Sequence, residues 1–182
     1  MLKNKKVSLR ALEETDLPIL RDWRNNEDFR KFFREHRELN LTDQKNWFDR
    51  FVVKNDSTIM FGIVDNENDE LIGVCGLCYI DWINRFADLS IYIGKNNLYI
   101  DTKENGFAWA ALNILLDFAF NKLGLHKVWN EIYSFDNQKK ELCQKYGFHQ
   151  DGILRDNYYY NGKYQNSLIL SLLAKDFKIK NN

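Results

Sequence analysis

The residues most able to do chemistry in this chain lie between Ala87 and Trp109. An alternating run, Ala87-Asp88-Leu89-Ser90-Ile91-Tyr92-Ile93-Gly94, leads through a loop to Lys103-Glu104-Asn105-Gly106-Phe107-Ala108-Trp109. A strand that feeds a small-residue turn at a helix start aims several unpaired backbone N–H groups, and the positive end of the helix dipole, at one point. Such a point holds phosphate. Gly106 lets a diphosphate come close to the backbone, Ala108 keeps the first turn slim and Lys103 adds a positive charge. An ordinary helix N-terminus with an incidental glycine is the plainer alternative. The segment matches neither the P-loop nor the dinucleotide fingerprint, so nucleotide hydrolysis and hydride transfer lose support.

Other reactive residues are more scattered. Asp88, Ser90 and Tyr92 share one face of their strand, and Asp81 precedes it on a loop. A carboxylate there is either a hydrogen-bond partner or a base, and Asp88 is the preferred base. His36, His126 and His149 lack metal-ligand spacing. His126, beside Lys127 at a strand start, reads as structural, whereas His36 lies among arginines and aromatics and stays open as a second candidate. Cys75 and Cys78 form a C-x-x-C inside a strand-like run, where residues three apart point to opposite faces, so packing is expected and no metal.

The elements that must carry these residues follow from periodicity. Lys6 to Leu12 alternates as a half-buried strand, and Thr15, Asp16 and Pro18 mark a helix start with Thr15 as its cap. A helical excursion follows, charged and aromatic from Asn25 to Asn40, with a second helix opening at Thr42 and Asp43. Thr58 to Val64, Glu70 to Ile80 and Phe86 to Ile93 are strands. A helix runs from about Asn105 to Lys122, with Asn113, Asp117 and Asn121 on its wet face and Gly124 as its stop. Lys127 to Tyr133 is a strand and Asn137 to Tyr146 a short helix. Phe148 to Leu173 makes two strands turning at Asn161-Gly162, a type I′ signal. The order gives an α/β or α+β sheet of mixed direction with helices on both faces.

Composition bounds the partners. The 182 residues suit one domain, with a core over about 6–176. Lys plus Arg (26) equals Asp plus Glu (26), so no net field draws nucleic acid or an anionic membrane. No apolar run approaches the roughly 20 residues that span a bilayer, and the first ten residues lack the apolar centre of a signal peptide, which points to the cytoplasm.

Lys103-Glu104-Asn105-Gly106-Phe107-Ala108 resembles the acetyl-CoA loop Q/R-x-x-G-x-G/A of the GNAT acetyltransferases, with Lys in the first place. The resemblance runs almost end to end: Leu9-Arg10-Ala11-Leu12, Trp23-Arg24-Asn25, Ile72-Gly73 to Gly76-Leu77, Asn84 to Ala87, Lys145-Tyr146-Gly147-Phe148 and Gly152-Ile153-Leu154-Arg155. It points to the branch that holds ribosomal-protein alanine, spermidine and amino-sugar acetyltransferases. The resemblance implies a mostly antiparallel sheet splayed at the acetyl-CoA strand, where Ile91, Tyr92 and Ile93 pair with the pantetheine amides. It implies acetyl-CoA contacts from Lys103, Asn105, Gly106, Phe107, Ala108 and Trp109, and direct transfer of the acetyl group to a primary amine. Two positions depart from the family pattern. Where relatives carry an Asn that contacts the cofactor, this chain has Asp136, with Asn137 next to it, and where they carry an acidic Tyr it has Cys143. Cys143 is then either a proton donor to the departing thiolate or a small filler facing the sulfur.

Arg24, Arg30, Arg34 and Arg37 among aromatics on the acceptor side suit a phosphate and a ring, which favours a nucleotide-linked amino sugar held by Arg30, Arg34 and His36. The neighbouring acids Glu27, Asp28, Glu35 and Glu38 keep a polyamine open, as is a protein N-terminus. A domain that binds acetyl-CoA without turnover is the non-enzyme alternative, and a homodimer is an open expectation.

Overall fold

Alternating apolar residues become strands that meet in one sheet, and the computed structural model describes residues 2–178. The strands are β1 (Leu2–Lys3), β2 (Val7–Ala11), β3 (Ile59–Asp65), β4 (Glu70–Asp81), β5 (Phe86–Ile93), β6 (Lys127–Tyr133), β7 (His149–Tyr160) and β8 (Lys163–Leu173). The α-helices are α1 (Leu17–Asn25), α2 (Glu27–Arg30), α3 (Leu41–Trp47), α4 (Phe107–Asp117) and α5 (Asn137–Tyr146). Spatial order in the sheet is β1-β2-β3-β4-β5-β6-β8-β7.

Every neighbouring pair is antiparallel except β5 with β6. That parallel pairing covers only Phe86, Ala87 and Asp88 against Lys127, Val128 and Trp129. Beyond it a side chain takes the place of backbone: Asn130 Nδ2 donates to the Leu89 carbonyl and, at 3.1 Å, to Asp88 Oδ1. The two strands therefore part at Leu89, which is the splay implied by the resemblance.

The buried apolar side chains form one continuous cluster. At its centre α4 is buried at every position from Ala108 to Leu116 and packs on β2, β4 and β5. Asn113 is accordingly not on a wet face. It is buried, and its Oδ1 accepts the Tyr146 hydroxyl at 2.6 Å. A helix enclosed all round offers no polar side for the periodicity to mark. On the other face of β5, Tyr92 meets Trp23 of α1 and Phe33 edge-on, with ring centroids 6.3 and 5.1 Å apart.

The helix starts differ from expectation. Thr15 is not a cap; it lies in a 3-10 turn, Glu14–Asp16, ahead of α1. Asp16 does the tying, accepting the Glu13 amide at 2.9 Å and both terminal nitrogens of Arg10 at 2.8 Å. Asn40, not Thr42, caps α3: its Oδ1 accepts the Asp43 amide while Asp43 Oδ2 accepts the Asn40 amide. The Asn161-Gly162 turn has both residues at positive φ, 54° and 77°, as type I′ requires. Among the described residues no helix is long and apolar enough to cross a membrane.

Candidate active site

Successive amides of a strand point to opposite edges, which fixes what β5 offers the gap. Gly94 donates to Ile72 of β4 at 2.9 Å, whereas Ile93 donates away from β4, to the Tyr99 carbonyl at 2.7 Å. By the same alternation Ile91 and Leu89 turn their backbone groups toward the gap, and Tyr92 and Ser90 toward β4. Of the three strand residues expected at the cofactor, Ile91 and Ile93 thus face the opening with backbone, and Tyr92 lines it with its ring.

A cavity of about 180 Å³ fills the gap between the two strands. Its lining includes Asp88, Ser90 and Ile91 from β5, Asn130, Glu131 and Tyr133 from β6, Cys78, Tyr79 and Arg34, and Tyr99, Asp136 and Lys139. Burial pushes the Asp88 carboxyl above the ordinary aspartate range, against the opposing pull of Lys139, the Asn130 hydrogen bond and Arg34. Asp88 is therefore a desolvated carboxylate at the point where the strands part. The two cysteines of the C-x-x-C do diverge: Cys75 is wholly buried, and Cys78 reaches the cavity with its thiol pushed up to about 12 by burial.

At the start of α5, Asp136 rather than Asn137 faces the cavity. Asp136 caps the helix by accepting the Lys139 amide at 3.1 Å and also accepts the Tyr99 hydroxyl at 2.5 Å, while Asn137 is exposed. Cys143 is fully buried, is absent from the cavity lining, and has its thiol pushed up to about 12, chiefly by burial. Of the two readings of Cys143 the structure favours the filler, and its place among the catalytic candidates is corrected.

The start of α4 differs from an open phosphate seat. Gly106 precedes the first helical residue, and the amides of Phe107 and Ala108 are taken by the carboxylate of Asp101 at 2.7 and 2.9 Å. Lys103 and Asn105 are exposed beside this turn, and the Asn105 carbonyl accepts Lys6 Nζ at 2.5 Å. Trp109 is a core residue with its ring 4.9 Å from that of Tyr146, so its side chain is removed from the candidate cofactor contacts.

The arginines of the excursion are already engaged. Arg24 lies over Trp47, Arg30 bonds Glu38 at 2.6 Å and the His36 carbonyl at 3.1 Å, and Arg37 forks onto Glu35, which it draws down to about 2. Arg34 bonds Glu131 at 2.6 Å. Only Arg34 among them borders the inner cavity. It also lines an outer cavity of about 370 Å³ with Glu35, His36, Glu131, Tyr133, Asn157 and Tyr158. Arg34 and His36 thus share the outer cavity, but Arg30 does not join them, and both arginines are already paired, Arg30 with the nearby Glu38 and Arg34 with Glu131 across the fold.

Residues 6–149 match the Acetyltransferase (GNAT) domain family. This chain is a GNAT acetyltransferase. It uses acetyl-CoA as cosubstrate and is an N-acetyltransferase. It is 26% identical to the spermidine N(1)-acetyltransferase of Vibrio cholerae over 96% of each chain. It is 27% identical to a putative ribosomal N-acetyltransferase of Bacillus subtilis over 59% of this chain and 56% of that one. In structure it is similar to spermidine N-acetyltransferase from Vibrio cholerae in complex with CoA and spermine, with a TM-score of 0.84, 25% identity and coverage of 95% and 98%. A dodecameric structure of that enzyme, 27% identical, has a TM-score of 0.77 over 94% of this chain.

Asn130, Glu131, Tyr99, Asp101 and Lys139 are among the residues of this candidate site that sequence reasoning missed. Asn130 and Glu131 sit in a strand whose alternation reads as plain packing, and only their position beside the splay gives them a role. Tyr99 and Asp101 lie in a connection without periodicity, where no local pattern records which side chain folds back.

Proposed function

We propose that this acetyltransferase transfers the acetyl group directly to a primary amine of a polyamine-type acceptor held between β5, β6 and the helical excursion. The observation that carries the reading is the desolvated Asp88 carboxylate at the mouth of the splay. An ammonium entering this cleft loses a proton to Asp88, and the freed nitrogen attacks the thioester carbonyl. The carbonyl carbon gains the N–C bond and loses the C–S bond, with the backbone N–H of Ile91 placed to polarise the oxygen. As the amide forms the nitrogen sheds its second proton, and the departing CoA thiolate takes up that proton by way of solvent. A thiol titrating near roughly 8.5 needs little acid help, so the absence of a tyrosine at position 143 is tolerated. Ile91 and Ile93 at the gap edge, with Gly106, Phe107 and Ala108 at the start of α4, form the acetyl-CoA side of this reading.

Two features support a cationic acceptor over a nucleotide-linked amino sugar. The arginines that would hold a diphosphate are each occupied by Trp47, Glu38, Glu131 or Glu35. The inner cavity carries Asp88, Glu131 and Asp136 against Arg34 and Lys139, and aromatic rings border it, among them Tyr133, which stacks at 4.0 Å on Tyr158 of the outer cavity. The likeness to the Vibrio spermidine enzyme points the same way. Self-association belongs to this reading too, on the exposed Ile153, Leu154 and Tyr159 of β7 and the dodecameric assembly of that relative. An acetyl-CoA consumption screen over spermidine, spermine, N-terminal peptides and nucleotide-linked amino sugars tests the acceptor. Turnover confined to amino sugars or peptides would overturn it.

A further inference from the structure

The anion seat at the start of α4 is filled from within the chain. Asp101 Oδ2 accepts the Phe107 amide at 2.7 Å and Asp101 Oδ1 the Ala108 amide at 2.9 Å. Two oxygens on two successive N-terminal amides is the contact that a phosphate group makes at such a place, with carboxylate oxygens standing in for phosphoryl oxygens. The fit depends on Gly106, since a Cβ there would come within 2.3 to 2.5 Å of the three carboxylate atoms.

Backbone from the same connection covers the neighbouring edge. The Tyr99 carbonyl takes the Ile93 amide as an isolated bridge, on the edge of β5 that faces the gap. The segment that does this is strained: Asn96, Asn97 and Tyr99 stand at φ 55°, 54° and 57°, a region that side-chain-bearing residues seldom occupy and that suits a tyrosine least. Internal groups thus make, in a conformation with little to lose, the contacts that a diphosphate and a pantetheine amide are able to make in their stead.

We propose that Asp101 is the residue that sets acetyl-CoA affinity, acting as an internal anion that competes with the diphosphate for the Phe107 and Ala108 amides. This rests on the start of α4 being the diphosphate seat. The two anions cannot share it, since like charges at contact distance in a partly desolvated turn repel strongly. Binding therefore requires the Asp101 carboxylate to leave, and its return expels the product CoA.

Calorimetric titration of CoA into wild type, Asp101→Ala and Asp101→Asn tests this, with thermal melts to establish that each variant is folded. Asp101→Ala should bind CoA about tenfold more tightly, and Asp101→Asn, which keeps one neutral acceptor oxygen, by an intermediate factor. S-acetyl-pantetheine, which carries no phosphate, should bind all three proteins equally. A gain shared by S-acetyl-pantetheine would mean a loosened connection rather than a displaced anion, and would overturn the proposal. Weaker CoA binding in a folded variant would overturn it while leaving the seat in place, because Asp101 would then support the ligand. Unchanged CoA affinity would remove the seat itself. If Asp101→Ala fails to fold, Asp101→Asn carries the same test.

Discussion

A carboxylate held out of water is a stronger base than a solvated one and a less stable group, and Asp88 combines both properties. Burial raises its carboxyl above the ordinary aspartate range. Its ionised form is thus penalised in the folded state: the stability it contributes is present while it is protonated and declines as pH rises through the raised value. Asp88→Asn should lower kcat by a factor of about 10² to 10⁴ while the melting temperature at neutral pH stays level or rises. The same substitution should abolish the rising acid limb of kcat/KM, which in wild type lies above the ordinary aspartate range. A variant with unchanged kcat would remove Asp88 from the mechanism. Cys143 is the contrasting case, because a thiol pushed up to about 12 and closed off from the cavity holds its proton at neutral pH and has no thiolate to acylate. Cys143→Ala should keep kcat within about twofold. Intact-mass measurement of wild type with acetyl-CoA and no acceptor should show no acetyl adduct at that residue.

Between the residues and the sheet stand the ties that aim each element. Arg10 at the end of β2 clamps Asp16 at the head of α1, and that clamp sets the direction along which α1 delivers Trp23 to Tyr92. Burial tends to raise the Asp16 carboxyl, but the Arg10 bonds and the Glu13 amide outweigh it and leave Asp16 below its ordinary value. A depressed carboxylate stabilises the fold above its unfolded pKa and loses that contribution as pH falls. Arg10→Met should therefore cost about 1 to 2 kcal/mol in urea unfolding near neutral pH, a figure held down by the 35% exposure of the Arg10 side chain. The difference from wild type should begin to shrink as pH falls below the ordinary aspartate range and be lost once the folded Asp16, held below that range, takes up its proton. Elements were legible where a period and a stop coincide, as in β5, in α5 with Gly147 behind it, and in the Asn161-Gly162 hairpin. The two-residue β1, Leu2–Lys3, is too short to carry a period and exists through its pairing with Leu9 and Ser8. In the site, Asp88 and the start of α4 showed in local pattern. Asn130 and Asp101 did not, because each acts across a gap on a backbone group that neighbouring residues do not identify.

Over the whole molecule 26 cations balance 26 anions, and the balance conceals how they are distributed around the cleft. The Arg34–Glu131 pair stands between the inner and outer cavities, with Glu131 also accepting Asn157 Nδ2 at 2.7 Å. Whichever ion the acceptor displaces decides the charge of acceptor that the cleft rewards. For a polyamine, Arg34 is a competitor that occupies Glu131 and repels the incoming ammonium. For a nucleotide-linked sugar, Arg34 is the remaining cleft arginine able to meet a phosphate. Arg34→Ala therefore has opposite effects in the two cases: KM falls for a polyamine and rises for a nucleotide sugar. The Arg34 side chain is 52% exposed, so the change should be modest, about two- to fivefold. Glu131→Gln should move the polyamine KM upward by a similar factor, and neither substitution should shift the KM for acetyl-CoA, whose proposed diphosphate seat lies at the start of α4. Steady-state kinetics with spermidine as acceptor checks this, and a rise in spermidine KM on Arg34→Ala would reject the cationic acceptor while leaving the acetyltransferase activity untouched.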